Sequence, residues 1–89
     1  MECLAIYDSG NYTIKMKRHF ETKGLVFEVV SIPCKISFHG CGYCLKFPEE
    51  FREIVVSESK SLKYPVRGLY RIIKGTTKNT YEKLPLSPQ

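Results

Sequence analysis

The chain predicts an α+β domain, a ferredoxin-like two-layer sandwich with a four-stranded antiparallel sheet and two helices on one face. Three observations lead there. Apolar runs with strand character alternate with two segments of helical period in the order β-α-β-β-α-β. Each half of that order closes by a right-handed crossover. At 89 residues, the chain has room for one small core.

The first strand is Cys3-Leu-Ala-Ile-Tyr7, an unbroken apolar run that stops at the turn signal Asp8-Ser-Gly. Ser9 can cap a helix whose apolar positions Tyr12, Met16 and Phe20 recur every four residues. Lys23-Gly24 supplies a cationic last turn and a left-handed stop. Leu25 to Ile32, rich in Val and Phe, is the second strand, and Pro33 ends it. Tyr43-Cys-Leu-Lys-Phe47 alternates as a third strand, with Tyr43, Leu45 and Phe47 expected inside. Pro48, Glu49 and Glu50 suit the start of a second helix, whose buried stripe would be Phe51, Ile54, Val55 and Leu62. Tyr64-Pro65 breaks it, and Val66 to Ile73 forms the fourth strand. The domain is expected to span 1–73, with 74–89 a loosely ordered extension ending Pro-Leu-Ser-Pro-Gln.

The composition, 43% hydrophobic and 26% charged, is that of a soluble globular protein. No apolar run approaches the ~20 residues that span a bilayer, and the charged, tyrosine-bearing start is unlike a signal peptide, so a cytoplasmic location without membrane contact is expected. There thiols stay reduced, and four cysteines point to redox or metal chemistry before structural disulfides. The net charge of +5 is spread over scattered lysines and arginines rather than gathered into a nucleic-acid footprint.

The richest stretch is His39-Gly-Cys-Gly-Tyr-Cys-Leu-Lys-Phe47. Cys41 and Cys44 have Cys-x-x-Cys spacing, which lets one sulfur attack the other, and Gly40 and Gly42 keep the backbone open to an approaching substrate. Lys35, His39 and Lys46 are the local candidates to support a thiolate. If the first and third strands lie as parallel neighbours, Cys3, Cys34, Cys41 and Cys44 gather at one sheet edge. Both helices would then start at the opposite end. Cys3 also reads as a small core residue, and Cys34 as an exposed bystander.

From residue 3 to 73 the chain resembles the family of putative Se/S carrier-like proteins. The resemblance lies in Lys23-Gly24, Ile32-Pro33, Lys35-Ile-Ser37, Cys41-Gly-x-Cys44 followed by Leu45-Lys-Phe47, and Gly68-Leu-Tyr70. Phe38, His39 and Cys34 depart from the family pattern. The resemblance implies that Cys41 is the principal thiol and Cys44 its partner, in a carrier rather than an enzyme. A cysteine desulfurase-type donor would load sulfur or selenium onto Cys41, and disulfide formation with Cys44 would release it to an acceptor, with no cofactor.

Two other functions compete. Cys34, Cys41 and Cys44, completed by His39 or Cys3, could hold zinc, and all four cysteines an iron–sulfur cluster. The strand order is also that of an RNA-recognition module, but stacking Tyr43 on a base would bury Lys46, which argues against nucleic acid. Finally, Val26, Glu28 and Val30 point away from the helices, and one phase of the fourth strand must join them. This apolar open face predicts a homodimer or a docking surface for the donor.

Overall fold

The computed structural model describes residues 1–36 and 42–86. Its elements are β1 (Glu2–Ile6), α1 (Gly10–Glu21), β2 (Glu28–Ser31), β3 (Tyr43–Pro48), α2 (Arg52–Ser61), β4 (Gly68–Ile73) and β5 (Thr80–Lys83). Short 3-10 turns occupy Cys34–Ile36 and Glu49–Phe51. One antiparallel sheet carries the strands in the order β2-β3-β1-β4-β5.

The apolar run of β1 is explained by its central position, which buries it on both faces. Cys3, Ala5 and Tyr7 join the helix-side core, while Leu4 and Ile6 lie in a second cluster across the sheet. Ser9 caps α1 as expected, its Oγ accepting from the Tyr12 N–H at 3.3 Å. Met16 and Phe20 are fully buried, and Gly24 takes the left-handed conformation at φ 81°. Phe20, Phe27 and Phe47 continue that core as tilted aromatic pairs, with centroids 5.2 and 5.7 Å apart.

Four details differ from expectation. The sheet has five strands, because part of the supposed loose extension pairs with β4, Ile73 facing Thr80 and Arg71 facing Glu82. Leu84, just beyond, is buried in the helix-side core. A four-residue polar edge strand has too short a period to show in the sequence.

The buried stripe of α2 is Val55 and Ser59, with Ile54 and Leu62 exposed. Phe51 belongs to the preceding 3-10 turn and packs half-buried against the helix-side core, one turn before Val55. Tyr43 is 54% exposed although Leu45 and Phe47 are buried as the alternation requires. It stands at the strand's first position, over the beginning of α1, where solvent reaches it.

The fourth difference matters most for function: β1 and β3 are antiparallel, not parallel, with Cys3 opposite Phe47 and Ala5 opposite Leu45. A β-α-β crossover makes β1 and β2 parallel, and the direct connection from β2 turns β3 against both. The start of β3 therefore lies beside the end of β1.

Candidate functional site

This antiparallel register separates Cys3 from Cys44, two of the four cysteines that were expected to gather. Cys3 belongs to the far end of the sheet and faces the helices. Burial, and then the Glu49 carboxylate, raise its pKa above the ordinary thiol range. Cys44 faces the other side, opposite Val30 in β2, and is also fully buried. Its second-face neighbours are Leu4, Ile6, Ile36 and Tyr70, and burial pushes its thiol up to about 12. Cys34 is exposed on its 3-10 turn. Gly40, Cys41 and His39 lie outside the described residues.

The sheet thus splits any ligand set that needs both Cys3 and Cys44. Among the described residues, no three His, Cys, Asp or Glu side chains cluster closely enough to hold a metal ion.

Gly42 is held where the approach to β3 begins. Its carbonyl accepts from the Ile32 N–H at 2.9 Å, which extends the β2–β3 ladder by one pair beyond Ser31 and Tyr43. A Cβ at Gly42 would stand 3.2 Å from the end of the Ile32 side chain, a tight contact that Ile32 would have to relieve by a few tenths of an ångström. Of the expected supporting cations, Lys35 donates to the Asn79 carbonyl at 3.4 Å. Lys46 reaches Glu2 at 3.4 Å, toward the far end of β3.

The beginning of α1 also sits at this end. Thr13 Oγ1 donates to the Tyr43 carbonyl at 3.2 Å, and a Cβ on Gly10 would touch the Tyr43 ring at 3.4 Å. The expectation that both helices start away from Gly42 is corrected for α1 and holds for α2. The turn leading into α2 is tied to the start of β1, where the Glu49 N–H donates to the Met1 carbonyl at 2.9 Å. Thr13 and Tyr43, which make the α1 junction, were not singled out as site residues. The antiparallel strand count, applied to the predicted elements, points to that junction.

The fold defines a small α+β domain, with two helices over one face of an antiparallel sheet and Tyr43, next to Gly42, set against the start of α1. Residues 2–71 match the family model described as "Putative Se/S carrier protein-like", and the chain belongs to that family. No curated protein and no solved structure matches the chain. Among the described residues, no helix is long and apolar enough to cross a membrane.

Proposed function

We propose that the protein carries sulfur or selenium, as a persulfide or selenide on Cys41, with Cys44 as the thiol that discharges it. Family membership supports the carrier role, and the Cys41-Gly-Tyr-Cys44 spacing supports the pairing. The observation that carries the proposal furthest is the junction of Thr13 and Tyr43, which puts the start of α1 at the end of the sheet where Gly42 lies. Cys41 is bonded to Gly42. A helix N-terminus favours nearby negative charge, and it lowers the pKa of a thiol that comes within reach.

In the loading step, the Cys41 thiolate attacks the outer sulfur of a donor's cysteine persulfide. A new S–S bond forms, the donor's S–S bond breaks, and the donor leaves as a thiolate. In discharge, the Cys44 thiolate attacks the Cys41 sulfur, the terminal sulfur departs as hydrosulfide, and a Cys41–Cys44 disulfide remains. The two protein thiols are oxidised and the carried sulfur is reduced, so a dithiol reductant must reset the pair. Such chemistry suits a reducing compartment such as the cytoplasm.

In this proposal the first four strands and two helices form a ferredoxin-like core, with β5 added beside β4. The partners are a desulfurase-type donor and an acceptor protein. Docking at the sheet end, where Tyr43 stands exposed, fits better than a homodimer across the second face, because Ile36 already packs on that face. Zinc, iron–sulfur and RNA readings gain no comparable support.

Intact-mass spectrometry after incubation with a cysteine desulfurase and cysteine tests the mechanism. The wild-type protein and Cys44→Ser gain the mass of one sulfur, Cys44→Ser retains it longer, and Cys41→Ser gains none. Sulfur uptake by Cys41→Ser equal to wild type overturns the proposal.

A further inference from the structure

A thiol that must attack a neighbouring sulfur is expected near the surface, yet Cys44 has no exposed surface at all. What covers it differs from what covers Cys3. Cys3 lies in the core beneath the helices. Among the described residues, the buried members of the cluster around Cys44 include one from outside the sheet, Ile36, which is carried on the short turn Cys34–Ile36.

That turn is lightly fastened. Its internal hydrogen bond, from the Ile36 N–H to the Pro33 carbonyl at 3.1 Å, moves with it. Among the described residues, its ties to the rest of the fold are the exposed 3.4 Å contact of Lys35 Nζ with the Asn79 carbonyl and the Ile36 side chain itself. The ladder ends firmly one step earlier, at the bond between Ile32 and Gly42. Among the described residues, release of the turn therefore asks for one side chain and one surface hydrogen bond, while β2 and β3 stay paired.

We propose that the segment Pro33–Ile36 is a strap that keeps Cys44 from reacting, with Ile36 as its removable plug. Closed, it denies a reagent any path to the sulfur. Open, it gives the thiol both access and water, and so lets it ionise. Its use rests on the carrier proposal: the load stays on Cys41 until an acceptor protein displaces Ile36, so discharge occurs where the sulfur is wanted. Local opening of this kind draws on a region of low stability without unfolding the domain.

Alkylation of the full-length native protein with iodoacetamide tests the strap without any sulfur donor. Peptide mass spectrometry reads Cys44 separately from the exposed Cys34, and added glutathione serves as the internal reference, because Cys34 sits on the strap itself. Ile36→Ala is expected to raise the Cys44 rate about tenfold or more relative to glutathione, as a local opening made easier by loss of the plug. Val66→Ala, a truncation on the helix side, controls for general loosening and should leave the ratio near wild type. An unchanged Cys44 rate in Ile36→Ala overturns the strap, as does an equal rise in Val66→Ala. Should Ile36→Ala fail to fold, Lys35→Ala decides by the same comparison, with a rise of about two- to threefold expected from loss of one exposed hydrogen bond. The carrier proposal can fail separately, through sulfur uptake by Cys41→Ser, while the alkylation result stands.

Discussion

Thr13 Oγ1 donates to the backbone carbonyl of Tyr43 at 3.2 Å, joining the first turn of α1 to the first residue of β3. Thr13 is fully buried, and its hydroxyl also reaches the Ser9 carbonyl at 3.3 Å. One side chain thus aligns the helix start with the approach to Cys44.

Thr13→Val keeps the shape and removes the hydroxyl. It should cost about 1–2 kcal/mol, because the Tyr43 carbonyl loses a partner. Urea unfolding measures that loss. If the alignment serves the thiol, the rate of Cys41 alkylation at neutral pH falls as well. Wild-type alkylation kinetics in a folded Thr13→Val protein would dismiss the functional role and leave only the structural one.

A second prediction concerns alkaline pH. The Cys44 thiol is pushed from an ordinary value of 9.0 up to about 12 by burial. Below 9, both native and unfolded chains keep this proton, and the group contributes no pH dependence. Between about 9 and 12 the unfolded thiol ionises while the native one does not, so the unfolded state gains and stability falls. Tyr7, raised from 10.0 to about 12 by burial, adds to the same decline. In Cys44→Ala the decline should be shallower, with Cys3, whose thiol is also raised from 9.0 by burial, still contributing to it. Denaturant midpoints from pH 8 to 11 would show it, and identical slopes in the two proteins would refute it.

Tyr7 and Ser59 share a buried hydrogen bond of 2.7 Å, which joins β1 to α2. Ser59→Ala leaves the tyrosine hydroxyl without this partner in the core and should cost about 1–3 kcal/mol. In Tyr7→Phe the second substitution should cost less, since no orphaned hydroxyl remains. A double-mutant cycle is expected to give a coupling of about 0.5–3 kcal/mol. Additive effects would mean that the pair contributes nothing as a pair.

The C-terminal strand also has a measurable role. Leu84 is buried, and its N–H donates to the Leu69 carbonyl at 2.8 Å. Leu84→Ala should destabilise the domain by about 2–3 kcal/mol, within the usual range for a buried leucine at the edge of a core. Leu86→Ala, at an exposed position two residues on, should shift the melting temperature very little. Equal shifts in both would argue that β5 is not docked in solution.

Local signals in the chain determined a good deal of this molecule. Ser9, Gly24 and the four-residue spacing of Met16 and Phe20 act within one helix, and their geometry follows from propensity and period alone. The alternation of Leu45 and Phe47 with Cys44 likewise assigned each to a face of β3 before any partner strand was considered. The Cys41-Gly-x-Cys44 motif, with the segments around it, was enough to indicate the family.

What only the tertiary structure decided is how those pieces face one another. Strand direction separated Cys3 from Cys44 and brought the start of α1 to Gly42, because pairing partners are chosen by the whole sheet. Ile36 is merely one apolar residue after a proline until the turn lays it among Leu4, Ile6, Cys44 and Tyr70. Thr80–Lys83 became a strand because β4 offered an unpaired edge, and Leu84 docked because the helix-side core had room for it. A period is written in neighbouring residues, but burial depends on surfaces that distant residues bring together.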